Sequence, residues 1–278
     1  MTPWKKQTWL LIGACGGIGR AVAKQLAALG IDLILTGRNA DQLDALALEL
    51  PTSARGIVAD LTQAADVEKL VRAAPDSLDG IIFAAGKNDF VMFEDQDPNQ
   101  IRQLFDINTL MPILVTQALL HRLSPTGRII YVGSTLGSIG YPGYASYGAT
   151  KAALRHFVQA LRREYADKTW QFCYIAPRAT RTSMNSENAI ALNQALGSQS
   201  DSPEWVARQI IQQIQTKKMK DRHLGFPEKI FVLLNAMLPS LLDNALTKQL
   251  AIIQLFARSH NLDLVTTRHN ICEKRGTK

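Results

Sequence analysis

Between residues 7 and 176, short apolar runs rich in β-branched residues alternate strictly with segments of helical period. That alternation limits the fold more than any other feature of the chain. The apolar runs lie at 8–12, 32–36, 56–59, 80–84, 128–132 and 171–175. The helical patterns lie between them at 18–29, 40–50, 64–73, 99–120 and 146–165. Runs without in–out alternation belong to strands buried on both faces. Strand, crossover helix and strand in succession build a parallel sheet with right-handed connections and helices on both sides. The fold class expected is therefore α/β, a doubly wound parallel sheet of Rossmann type in a single domain with a C-terminal helical extension. At 278 residues the chain has room for one such core and little more.

The first strand runs into Gly13-Ala14-Cys15-Gly16-Gly17-Ile18-Gly19 and then a helix. Glycines at a strand–helix junction permit a tight turn and close backbone approach to a phosphate. The helix start then offers free N–H groups and a positive dipole end to a pyrophosphate. The second strand ends at Thr36-Gly37-Arg38. An acidic residue there suits the free ribose hydroxyls of NAD, whereas arginine suits a 2′-phosphate, so Arg38 argues for NADP(H).

Tyr147 and Lys151 stand four positions apart in the helical pattern 146–165, on one helix face. A phenol is a poor acid/base at neutral pH, because it ionises near pH ~10. A neighbouring ammonium is expected to lower that value. Tyr147 then becomes able to protonate a carbonyl oxygen or deprotonate an alcohol. Ser134 follows the apolar run 128–132, at the sheet edge where open α/β sheets bind ligands, and offers a second hydrogen bond to the same oxygen. Tyr144 is a rival tyrosine, but its i+4 position is Gly148.

Taken together, these motifs resemble the short-chain dehydrogenase/reductase family over residues 8–185. Gly13, Gly17, Ile18 and Gly19 match its glycine pattern, with Ile12 where the family has threonine. The interval of 13 positions between Ser134 and Tyr147 is typical of it. The resemblance implies cofactor contacts from Asp60 and Leu61 after the third strand, from Thr182 after the sixth, and from Lys151 to the nicotinamide ribose. It also implies that Asn108, in Phe105-Asp106-Ile107-Asn108, joins Ser134, Tyr147 and Lys151 as a catalytic residue and holds a water that feeds protons to Lys151. Two departures stand out. The family's Asn-Asn-Ala-Gly reads Phe83-Ala84-Ala85-Gly86, and its Pro-Gly reads Pro177-Arg178. Arg178 either binds an anionic substrate group or pairs with a surface carboxylate.

Residues 178–202 read as a polar, irregular connection, and a helix restarts at Pro203 behind a Ser202 cap. A short strand is expected near 223–226. The dinucleotide-binding and catalytic region is expected to span 1–227. Residues 228–278 form two amphipathic helices around Pro239 and a polar tail. Three roles suit that extension: a lid, a contact in a homo-oligomer, or a peripheral membrane contact through 228–257.

The net charge of +7 carries no long Lys/Arg run interleaved with aromatics, so a solvated surface is expected rather than a nucleic-acid partner. Three scattered cysteines and five histidines show no metal-ligand or disulfide spacing, so no metal and a reducing, cytoplasmic setting are expected. The partner expected is a small-molecule carbonyl or alcohol, with a lipid-like or acyl-chain ketone suggested by the apolar extension. The alternative reading is an NADPH-binding protein that kept the fold without turnover.

Overall fold

The computed structural model describes residue 4 and residues 6–258. Cys272 and the polar tail lie outside the described residues. Seven strands form one wholly parallel sheet: β1 (Thr8–Ile12), β2 (Asp32–Gly37), β3 (Ala54–Val58), β4 (Leu78–Phe83), β5 (Leu123–Val132), β6 (Gln171–Ala176) and β7 (Arg222–His223). Their order is β3-β2-β1-β4-β5-β6-β7. The strand order therefore reverses between β1 and β4, which opens a crevice at their C-terminal ends, the usual ligand position in open α/β sheets.

Helices α1 (Gly17–Ala28), α2 (Ala40–Glu49), α3 (Ala64–Ala73), α4 (Pro98–Phe105), α5 (Met111–Leu119) and α6 (Ala145–Glu164) precede β6. Helices α7 (Glu187–Ala195), α8 (Pro203–Ile214), α9 (Glu228–Met237) and α10 (Pro239–Ala257) follow it. On one face of the sheet Val22 and Leu26 of α1 and Ile210 and Ile214 of α8 close over Leu11, Leu33 and Cys173. On the other face Leu70 of α3, Val115 of α5, and Leu154 and Val158 of α6 close over Leu10, Ile81 and Ile129. Odd and even positions of β1, β2, β5 and β6 thus feed opposite cores, which is why those runs read as continuously apolar.

The structure departs from the sequence reading in three places. The single helix expected over 99–120 is α4 and α5 joined by a widened turn, Asp106–Leu110, in which Met111 N–H reaches back five residues to Asp106 O. The irregular connection 178–202 contains α7, capped by Ser186, whose hydroxyl accepts from Ala189 N–H at 3.2 Å. The strand expected near 223–226 is β7, which starts one residue earlier and is only two residues long. Helix α8 does begin at Pro203, with Ser202 Oγ accepting from Trp205 N–H at 3.1 Å.

Candidate active site

The glycine loop is built for close approach. Gly13 has φ +80°, and a Cβ there would stand 2.5 Å from Ala85 N, so neither the backbone angle nor the space admits a side chain. Gly13 N–H and Ala14 N–H both donate to Thr36 O, at 3.1 and 3.0 Å, which folds the loop over the end of β2. Gly16 caps α1 without any side-chain hydrogen bond, so the first N–H groups of the helix face outward. A Cβ at Gly16 would meet nothing nearer than Gly13 O at 3.5 Å, so the loop's outer side is open. Gly19 is buried inside α1, and Ile18 packs at the edge of the core. Thr182 lies across the same helix start, its Cγ2 2.7 Å from where a Gly17 Cβ would be.

Arg38 is exposed immediately after β2, beside Gly37, which adjoins Cys15 of the glycine loop. Beyond β3, the Asp60 carboxylate accepts from Thr62 N–H and Thr62 Oγ–H at 3.1 and 2.7 Å, while Leu61 is buried beneath it. A free helix start, an open glycine cradle, an adjacent guanidinium and a threonine over the loop fit a dinucleotide with its pyrophosphate on α1.

Ser134, Tyr147 and Lys151 lie beyond the end of β5, two strands along the sheet from β1. Ser134 follows β5 in extended backbone. Its Oγ accepts from Leu136 N–H at 3.1 Å, which fixes the hydroxyl at the start of the next turn. Tyr147, in the first turn of α6, is buried and hydrogen-bonded to Ser134. Lys151 is one turn on, 4% exposed, with Nζ donating to Val132 O at 3.3 Å and standing 5.9 Å from the Tyr147 ring centre. A Cβ at Gly86 would lie 3.1 Å from Asn108 Oδ1 and 3.4 Å from Lys151 Nζ, so both groups converge on that glycine.

Asn108 is 1% exposed inside the widened turn. Its amide accepts from Lys87 N–H at 2.9 Å and donates to Lys87 O at 2.8 Å and Thr150 Oγ at 3.1 Å. The α-helical partner of Asn108 O would be the N–H of residue 112, which is proline and has none. A widened turn of this kind often marks a functional site, because it frees backbone groups.

The expected electrostatics need one correction. Burial, not Lys151, dominates at Tyr147 and pushes its phenol up, while the Ser134 hydrogen bond works the other way. Lys151 is itself lowered by burial to about 8.

Arg178 does not reach into the cleft. Its Nε and Nη2 hold Asp201 at 3.0 and 2.8 Å, and Nη1 reaches Glu228 at 3.2 Å and Phe226 O at 3.3 Å. The carboxylate reading holds and the substrate-anion reading falls, because the donors are committed to two carboxylates. The pairing also ties the start of α9 to the α7–α8 connection.

The aromatic wall beside Tyr147 has no counterpart in the motif pattern. Tyr144 stands 6.0 Å from Tyr147 and stacks on Phe90 at 4.8 Å. Tyr141, Leu192 of α7 and Ile253 of α10 join the same cluster.

Comparison with known proteins agrees with this geometry. The model for short chain dehydrogenases matches residues 7–192. An uncharacterized oxidoreductase of Staphylococcus epidermidis is 31% identical over 66% of this chain and 82% of its own. The 3-oxoacyl-(acyl-carrier-protein) reductase FabG of Escherichia coli is 31% identical over 63% of this chain and 74% of its own. Among solved structures, a short-chain dehydrogenase from Streptomyces avermitilis superposes with TM-score 0.74 at 25% identity, covering 88% of this chain and 97% of that one. The chain belongs to the short-chain dehydrogenase family.

Proposed function

We propose that the protein is an NADPH-dependent oxidoreductase that interconverts a ketone or aldehyde and its alcohol. The observation that carries this reading is the convergence of Asn108, Ser134, Tyr147 and Lys151 beyond the C-terminal end of β5, two strands along the sheet from the open glycine loop and three from Arg38. When bound, the nicotinamide supplies the hydride that adds to the carbonyl carbon. Ser134 Oγ and Tyr147 Oη meet the carbonyl oxygen, and Tyr147 passes its proton there as negative charge develops. The Lys151 ammonium, close beneath the ring, stabilises the phenolate and restores its proton. The carbonyl of Asn108, lacking its helical donor, holds the water from which Lys151 is recharged.

The substrate is proposed to be apolar, with an acyl chain as the best fit. Phe90, Tyr141 and Tyr144 form an aromatic side to the cleft, and α10 closes against α7 beside it. A second reading assigns the extension to a membrane surface. It is favoured by α9, an apolar helix with no buried residue, and by Phe226, Met237 and Leu241, exposed at 69%, 69% and 55%.

The test is reduced-nicotinamide consumption over carbonyls graded in chain length and charge, with NADPH and NADH in parallel. Turnover that prefers NADPH and rises with chain length is expected. Tight NADPH binding without turnover of any carbonyl would instead mark a binding protein.

A further inference from the structure

Tyr174 lies on β6, paired across the sheet with Tyr131, and is 1% exposed. The mechanism above makes no use of it, yet its hydroxyl sits at the junction of two catalytic elements. The oxygen accepts from Ser134 N–H at 3.1 Å. The hydroxyl proton faces two carbonyls, Ser134 O at 3.2 Å and Lys151 O at 3.1 Å. One phenol thus holds both backbone polar groups of Ser134 and joins them to the main chain of Lys151, on another element.

Room for this phenol is made by two glycines. A Cβ at Gly133 would fall 1.9 Å from Tyr174 Cζ, and one at Gly137 would fall 2.7 Å from the hydroxyl. Any larger residue at either place would expel the ring. The opposite flank of α6 is held by two neighbouring residues: Thr109 Oγ donates to Thr150 O at 3.0 Å, and Asn108 Nδ2 to Thr150 Oγ at 3.1 Å. The turn of α6 bearing Lys151 is therefore gripped from both sides, and the Tyr174 hydroxyl links its main chain to that of Ser134.

We infer that Tyr174 is a positioning residue, whose hydroxyl sets the distance between the Ser134 and Lys151 backbones and so the register of Ser134, Tyr147 and Lys151. The inference rests on the reading of those three as the catalytic set. The Tyr174 hydroxyl is committed to Ser134 N–H and to two backbone carbonyls, so it is no proton donor to substrate. Its role is geometric.

Tyr174→Phe in the full-length enzyme keeps the ring and removes one oxygen. A shift of about an ångström at a reacting group costs roughly a hundredfold, so kcat is expected to fall by about tenfold to a hundredfold. The affinity for NADPH falls far less than kcat, because the glycine loop and Arg38 are remote from β6. The alkaline limb of the kcat profile moves as well, because Lys151 is displaced. A purely structural role would lower the melting temperature and leave kcat and its pH profile alone. Should the Phe chain not fold, Gly133→Ala with Tyr174→Leu refills the space without the hydroxyl and is expected to show the same loss. Wild-type kcat and pH profile in either variant would overturn the inference while the catalytic reading stands. Absence of turnover in the wild type would take down both.

Discussion

Lys151 is a cation that burial penalises, and this shapes both activity and stability. Its ammonium pKa falls from 10.5 to about 8 in the folded protein. Between those values the unfolded chain binds more protons than the folded one, so stability rises with pH across that window. Below pH 8 the penalty is fully present. Lys151→Met is therefore expected to melt above the wild type at pH 7, with the gap closing as pH rises toward 10, while losing turnover; differential scanning calorimetry across that range checks it. A lower melting temperature for the variant at pH 7 would contradict the assignment. In the direction of reduction, kcat is expected to fall as pH rises through about 8, because Lys151 then lacks the proton it relays.

Tyr147 and Lys151 were legible in the sequence because four positions on a helix fix their relation locally. Ser134 was legible from its place after a strand. Tyr174 was not, because its role depends on the register between β5 and β6 and on side chains that Gly133 and Gly137 lack. The direction of the Tyr147 shift was also hidden, since burial is a property of the fold and not of spacing. Arg38 is accessible to a simple test. Charge-assisted hydrogen bonds contribute about 1.5–3 kcal/mol, so Arg38→Ala is expected to weaken NADPH by roughly tenfold or more and leave NADH unchanged. Equal losses for both cofactors, measured by titration, would contradict a 2′-phosphate contact.

At the scale of elements, the sequence marked strands β1 to β6 and the helices between them, because core faces impose their periods. It ran out where packing, not pattern, decides. Helix α7 buries only Ala189, Ala191 and Leu192, too few apolar anchors to stand out in a polar stretch. The widened turn at Asn108 appears in the sequence as an unbroken helical period, with Pro112 the one sign of interruption. Arg178 shows how an element is placed by charge. It is 12% exposed and faces Asp201 and Glu228, which are 9% and 21% exposed. Removing one partner of a buried pair strands the other, at about 3–5 kcal/mol. Arg178→Ala is thus expected to lower stability by several kcal/mol in denaturant titration and to loosen α9, with faster amide exchange at 228–237. Slow exchange there with unchanged stability would show that the pairing does not seat the extension.

The whole molecule joins a family domain to an extension beyond its matched residues. The family model ends at residue 192, inside α7, and the two helices that follow β7 lie outside it. The extension was legible as apolar and helical, but not its placement against α7 and the aromatic wall. Its exposed face carries a prediction at this scale. If it serves long-chain substrates, replacing Leu233 and Met237 with serine raises KM for long-chain carbonyls and leaves short-chain kcat/KM unchanged. If it seats a membrane, the same variant loses co-sedimentation with anionic phospholipid vesicles and keeps its chain-length profile. An unchanged variant in both assays would remove the extension from function.

The most direct test of the central claim is single-turnover reduction by Tyr147→Phe, with NADPH binding measured on the same protein. A correctly placed acid/base group is worth about a hundredfold to ten-thousandfold, so the account predicts that loss in rate with NADPH affinity intact. A Phe variant that reduces carbonyls at the wild-type rate would show that the proton does not come from Tyr147.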